Sequence, residues 1–340
     1  VYLLGFAAVE GFHTLLLTIN AVVNFLRTIL LCCALFCSGL VFAEPAEQQP
    51  KQPQNQPFSE VTFSSLVKYA QFAAAAYGDV AGFKRTCDTY HFKFSDTGAN
   101  ITDKVRYFIA TNDEEKTQLI AVRGTSNVEN AVVDIDYVLT PDEILDIELH
   151  KGFAQSSQSI YQELKPKLHK DYTIHLTGHS LGGAVAVILG MYLDKQDYKT
   201  GEIVTFGQPK VTNRSGAKRF AHLNVTRVNT AEDMVPLMPP FDVSQILNFK
   251  FDIFWHLGKE YVLLSDEYYS VLDGMDSLLR GADFLSKAPT AENLNAHRID
   301  TYIKLLKSLA GKAVQIPYDK RDEYLKPEPT TAPSSKPQET

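Results

Sequence analysis

The chain has no basic excess. Its 340 residues hold 33 Lys and Arg against 40 Asp and Glu, a formal charge of −7. Without surplus cations to neutralise phosphates, nucleic-acid binding is not expected. Cysteine is scarce as well. Of the four, Cys32, Cys33 and Cys37 share one apolar run, which leaves Cys87 alone in the remainder and excludes a disulfide framework there. No HExxH, EF-hand or Cys/His spacing occurs, so neither a metal nor a cofactor is expected. What is present, 45% hydrophobic and 21% charged residues with 19 Gly and 16 Pro, is globular composition rather than collagen-like, coiled-coil or wholly disordered.

An uninterrupted apolar run long enough to span a bilayer is also missing. Between Thr14 and Ala43 the single charge, Arg27, divides Leu15–Leu26 from Thr28–Ala43, and neither half reaches the ~20 residues a span needs. Arg27, the apolar stretch after it and the Val41-Phe42-Ala43 site before Glu44 predict an export signal over residues 1–43. The expected mature chain is secreted or periplasmic, without a permanent membrane span.

Residues 44–57, EPAEQQPKQPQNQP, hold four Pro, five Gln and no bulky apolar side chain. The tail from Lys326 to Thr340 holds four more Pro. Neither can bury a core, so both are predicted to be disordered. Phe58–Leu325 remains as one domain. In it, Val61–Tyr77 has helical apolar spacing and ends at Gly78. Val105–Ala110 and Leu119–Val122 flank a polar turn and predict a hairpin. Phe153–Leu168 predicts a helix disturbed near Pro166. Strands are predicted at Tyr172–Leu176, Glu202–Phe206, Val225–Asn229 and Tyr261–Leu264, with a helix over NRSGAKRFAHL between the second and third. Asp266–Leu285 places Val271, Leu272, Met275, Leu278, Leu279, Ala282 and Leu285 on one helical face. Strands alternating with helices predict an α/β fold, a mostly parallel sheet covered on both faces.

Gly178-His179-Ser180-Leu181-Gly182 fits G-x-S-x-G. It follows a β-prone run and opens a helix rich in small residues, the context of a sharp strand-to-helix turn that lifts a serine hydroxyl above a sheet. A serine needs a neighbouring base oriented by a carboxylate, and on such a fold the chain order is Ser, acid, His. The acid belongs just past a later strand, which selects Asp233 after Val225–Asn229, with Glu232 as its rival. Beyond Asp233 only His256 and His297 remain. A base works at the open top of the sheet, and the start of a helix suits it better than the approach to a buried strand. That favours His297. His179, inside the turn, is expected to pack and hydrogen-bond rather than act as a base.

In this order, RGT, KGF, TGHSLGGA, VTFGQPKV, RVNTAEDMVPLMPP and HLGKEY make a sequence that resembles the class 3 (fungal-type) lipases of the α/β-hydrolase fold. The likeness runs from about Leu119 to Tyr261 and more weakly over Ala296–Tyr302. It does not cover Asp266–Leu294. The resemblance implies Ser180 as nucleophile, Asp233 as triad acid and His297 as base. It implies Thr125 of the RGT block as the oxyanion residue, acting through its backbone N–H together with that of Leu181. It also implies Asp134 as support for the Thr125 side chain, and a lid over Ser126–Ile135 with Val128, Ala131, Val132 and Ile135 on its apolar face. His256 falls in an H-x-G-x-E-Y segment that is not catalytic in such lipases.

The expected activity is an exported serine ester hydrolase, a lipase acting on acylglycerols through an acyl-enzyme and meeting its substrate at a lipid–water interface. Two alternatives are a phospholipase or short-chain esterase using the same triad, and a non-catalytic binding protein on the same fold.

Overall fold

A computed structural model of the chain describes residues 62–100, 105–125, 138–239, 253–274, 276–277, 280 and 290–325. Among these, nine strands form one sheet whose spatial order follows the chain. Strands β1 (Lys93–Asn100), β2 (Val105–Asn112) and β3 (Thr117–Arg123) make an antiparallel edge. The sheet then runs parallel through β4 (Thr173–His179), β5 (Lys199–Phe206), β6 (Val225–Thr230) and β7 (Lys259–Leu263). It closes with β8 (Tyr268–Leu272), antiparallel to β7, and β9 (Val314–Gln315). The strands Leu139–Asp142, Ile147–His150, Thr212–Asn213 and Phe254–Trp255 form a second, smaller sheet.

Alternation along the strands builds two cores. Tyr107 and Ile109 of β2, Ile120 and Val122 of β3, and Ile174 and Leu176 of β4 pack together under helices that carry Ile160, Leu164, Val185 and Leu189. The intervening Phe108, Ala110, Leu119 and Ala121 point to the other face and meet Leu66, Phe72, Tyr302 and Leu306. Side chains alternate across a strand, so a strand covered on both faces reads as a continuous apolar run. Truncating any one of these buried leucines to Ala is expected to cost ~2–5 kcal/mol.

The helices packed around these sheets include α1 (Phe63–Ala75), α2 (Val80–Thr89), α3 (Lys151–Leu164), α4 (Leu181–Lys195), α5 (Arg214–Arg219), α6 (Ala291–His297) and α7 (Ile299–Leu309). Their ends follow local chemistry. The Thr62 hydroxyl accepts from the Ser65 N–H at 3.2 Å to start α1. At the far end of α3, Pro166 lacks an N–H donor and the chain tightens into a 3-10 turn over Lys165–Lys167. The hairpin expected of Val105–Ala110 and Leu119–Val122 is formed by β2 and β3, joined by residues 113–116, with Ile109 opposite Ile120.

One expected helix is different. The start of Asp266–Leu285 is β8, so Val271 and Leu272 lie on a strand. Ser265 accepts from the N–H groups of Glu267 and Tyr268 at 3.3 and 3.1 Å, which turns the chain back on β7. Tyr269 then stacks on Tyr261 across the pair, with ring centroids 6.1 Å apart. Aromatic and β-branched side chains favour such cross-strand packing, and here it outweighs the helical spacing. Asp276, Ser277 and Arg280 are helical. Met275, Leu278, Leu279, Ala282 and Leu285 lie outside the described residues. No helix of the described residues is long and apolar enough to cross a membrane.

Candidate active site

Ser180 stands between the C-terminal end of β4 and the first turn of α4, with φ 58° and ψ −132°. A non-glycine residue in that region is strained, and such strain recurs where a turn holds a nucleophile proud of its sheet. The surrounding glycines are a matter of space. A Cβ on Gly178 would lie 2.3 Å from the Gly182 carbonyl oxygen, and one on Gly182 would lie 2.3 Å from that of Val122. The Ser180 N–H donates to Phe206 O at 2.9 Å, which ties the turn to the end of β5.

Asp233 follows β6 and is fully buried, whereas its rival Glu232 is exposed. His297, the last residue of α6, is also buried, and its Nδ1 donates to Asp233 Oδ2 at 2.7 Å. The same oxygen accepts the Tyr302 hydroxyl of α7, while Oδ1 accepts the Val235 N–H at 2.9 Å. Burial alone would raise the Asp233 pKa. The His297 ring beside it, the two side-chain donors and the backbone N–H more than reverse that, and hold the carboxyl below its ordinary value. The other ring nitrogen of His297, Nε2, is buried and has no hydrogen-bond partner among the described residues. With Nδ1 committed to a carboxylate, an open Nε2 is the atom that can take a proton from a hydroxyl.

His179 packs rather than titrates. Its Nε2 donates to the His297 carbonyl at 2.6 Å, so its Nδ1 is left to accept from the Tyr77 hydroxyl at 2.9 Å. Burial, and then the charge that His297 can carry, push its pKa down to about 3. The two rings are 4.6 Å apart, which sets His297 alongside the nucleophile turn. His256 is elsewhere. Its Nε2 donates to Pro236 O at 2.7 Å, and burial followed by the Arg227 and Lys210 cations keeps it well below the usual histidine range.

Thr125 is half-buried just past the end of β3. The preceding Gly124 abuts the nucleophile, because a Cβ there would lie 3.2 Å from Ser180 Cβ and 2.6 Å from His179 O. Leu181 is the first residue of α4, where backbone N–H groups have no intrahelical acceptor. Leu181 and Gly124, the residue before Thr125, thus border Ser180, and an oxyanion hole needs two amides beside the nucleophile. Asp134 and the Ser126–Ile135 segment lie outside the described residues.

Three contributors were not singled out by sequence reasoning: Tyr302, Tyr77 and Gly207. Gly207, at φ +57°, lies under the pair, where a Cβ would come within 2.8 Å of both Asp233 Oδ2 and His297 Cε1. The only signals available were its place in the VTFGQPKV block and the spacing of Tyr302 from His297. Among the described residues no group of three or more His, Cys, Asp or Glu side chains could hold a metal ion.

Residues 119–243 match the family model described as lipase (class 3). A lipase of Rhizomucor miehei is 28% identical over 189 residues, which cover 52% of this chain and 50% of the relative. Secreted mono- and diacylglycerol lipase A of Penicillium cyclopium is 27% identical over 253 residues, covering 67% of this chain and 77% of that protein. Among solved structures, lipase II from Rhizopus niveus aligns with a TM-score of 0.51 and 26% identity, covering 59% of this chain and 80% of the other. The chain spans about half the length of the first of these relatives.

Proposed function

We propose that the chain is a serine ester hydrolase of the class 3 lipase type, most specifically a lipase that cleaves acylglycerols, a reading supported by the match of residues 119–243 to that family's model and by the likeness to fungal lipases. Ser180 Oγ attacks the ester carbonyl as His297 Nε2 takes its proton. Asp233 holds the imidazole in the Nδ1–H tautomer and stabilises the imidazolium. The N–H groups of Thr125 and Leu181 receive the negative oxygen of the tetrahedral intermediate. Collapse breaks the C–O bond, and the departing alcohol takes the proton from His297. Water, deprotonated by the same nitrogen, then releases the acid and restores Ser180.

The observation that carries this reading is the buried 2.7 Å contact between His297 Nδ1 and Asp233 Oδ2 beside a strained Ser180. The acylglycerol substrate is supported by relatives named as a lipase and as a mono- and diacylglycerol lipase. Export through residues 1–43 is supported by the apolar run after Arg27 and by the word "secreted" in the second of those names.

A fluorophosphonate probe should label the wild-type protein at Ser180 and leave Ser180→Ala unlabelled and inert toward esters. Turnover retained by purified Ser180→Ala would remove the mechanism. A series of p-nitrophenyl esters of increasing chain length, run beside an acylglycerol emulsion and a phospholipid dispersion, separates lipase from esterase and phospholipase. The lipase assignment requires the emulsion to be the preferred substrate.

A further inference from the structure

The end of β6 and the loop after it present their backbone carbonyls to buried nitrogen donors on both sides of Asp233. Downstream, His256 donates to Pro236 O, and Lys210 Nζ donates to Leu237 O and Pro239 O at 2.6 and 2.7 Å. Upstream, Arg280 Nη2 donates to Thr230 O at 2.8 Å and to Ala231 O at 3.1 Å. Arg280 is 1% exposed and comes from chain beyond the region matched by the family model, which ends at residue 243.

The other end of Arg280 is equally committed. Its Nη1 donates to Glu260 Oε1 at 2.9 Å. Glu260, buried on β7, also accepts from Asn229 Nδ2 at 2.8 Å and from the Ser277 hydroxyl. A second guanidinium, Arg227, lies 3.6 Å from Glu260 Oε2. It donates to Leu257 O and Ser277 Oγ instead, at 2.9 and 3.0 Å. The two arginines therefore share one carboxylate and one environment. Of the pair, Arg280 is the one hydrogen-bonded to the loop that carries Asp233.

Thr230 makes that contact consequential. Its carbonyl is held by Arg280, and its hydroxyl donates to Ala296 O at 3.0 Å, one residue before His297. A shift of Thr230 would move the approach to Asp233 and the approach to His297 together. We infer that Arg280 is a positioning residue: anchored on Glu260, it fixes the Thr230–Ala231 backbone and so keeps Asp233 and His297 in register. The guanidinium matters for its planar fork, which reaches a carboxylate and two carbonyls at once. A lysine ammonium keeps the charge without that geometry. This role rests on the triad reading proposed above.

The test compares Arg280→Lys with Arg227→Lys, using thermal melting, steady-state ester hydrolysis and the rate of fluorophosphonate labelling. Misplacement of a catalytic pair by about 1 Å can cost ~10²-fold in rate. Arg280→Lys is accordingly expected to lose ~10–100-fold in kcat and in labelling rate, with KM within about threefold of wild type. Arg227→Lys should melt early in the same way and keep kcat within about threefold. Equal losses of kcat in the two variants, or wild-type kcat in Arg280→Lys, overturn the positioning role. If Arg280→Lys does not fold, Glu260→Gln, which weakens the anchor and leaves the guanidinium in place, is read on the same scale. An unchanged kcat there overturns the role as well. Ser180→Ala assayed alongside separates the two readings. Its activity would undo the triad assignment itself, whereas an inert Ser180→Ala beside a fully active Arg280→Lys undoes the positioning role alone.

Discussion

Tyr302 donates its hydroxyl to the same carboxylate oxygen of Asp233 that binds His297. The acid thus carries two side-chain donors on Oδ2 and a backbone donor on Oδ1, and its side chain is fully buried. A buried anion this well satisfied is held both in charge and in orientation.

Removing one donor should be felt in both respects. Burial works to raise the Asp233 pKa, and the His297, Tyr302 and Val235 contacts together lower it below the usual value. A depressed carboxyl pKa contributes stability that is present above the unfolded value of ~3.9 and is lost as pH falls through the folded one. Tyr302→Phe raises the folded pKa back toward the unfolded one. Stability at pH 7 should drop by about 1–2 kcal/mol, and the acid-unfolding midpoint should move to higher pH. Urea melts at several pH values between 3 and 7 check this. Superimposable curves for wild type and Tyr302→Phe would show that the hydroxyl does not hold the acid.

Gly207 offers a steric test of the same pair. Its φ of +57° disfavours any side chain, and a methyl there would press within 2.8 Å of Asp233 Oδ2 and His297 Cε1. Gly207→Ala should cost ~1–2 kcal/mol of stability from the left-handed conformation. Its kcat should fall by ~10²-fold as Asp233 and His297 are pushed apart. A variant that melts early but turns over at the wild-type rate would mean that the pair tolerates displacement.

The parts of this site that follow local rules were legible in the sequence. G-x-S-x-G after a β-prone run marks a turn set by glycines a few residues apart, and chain order then selects Asp233. The two cores were legible for a similar reason, since strands buried on both faces spell apolar runs. The parts that depend on distant chain were not. Tyr302 reaches Asp233 from 69 residues away, and Arg280 reaches Thr230 from 50. Neither spacing has a local signature. In β8, Val271 and Leu272 fit a helical stripe, whereas the stack of Tyr269 on Tyr261 that favours the strand exists only once β7 is in place.

Cys87 is free and buried, and its thiol is pushed up to about 12, chiefly by burial. The thiolate is the reactive form, so Cys87 should resist maleimide at pH 8 in the folded protein and react fully in denaturant. If residues 1–43 are removed on export, mass spectrometry of the secreted chain should find an N-terminus at Glu44 and one alkylated thiol after unfolding. Rapid labelling of the native protein would contradict the buried placement of Cys87.

The two histidines beyond Asp233 separate a chemical role from a structural one. His297 binds the acid through Nδ1 and leaves Nε2 open, whereas the Nε2 of His256 is occupied by the Pro236 carbonyl. Burial and the neighbouring Arg227 and Lys210 keep His256 neutral, so it cannot accept a proton near pH 7. His297→Ala should therefore abolish ester hydrolysis by several orders of magnitude with little change in far-UV circular dichroism. His256→Ala should lose about 1–3 kcal/mol of stability, because the Pro236 carbonyl is left buried without its donor. Its kcat should stay within about tenfold of wild type, the loss reflecting a looser acid loop. Circular dichroism and kcat measured on both variants decide the matter. A folded but dead His256→Ala beside an active His297→Ala would transfer the base to His256 and leave the Asp233–His297 contact without a chemical role.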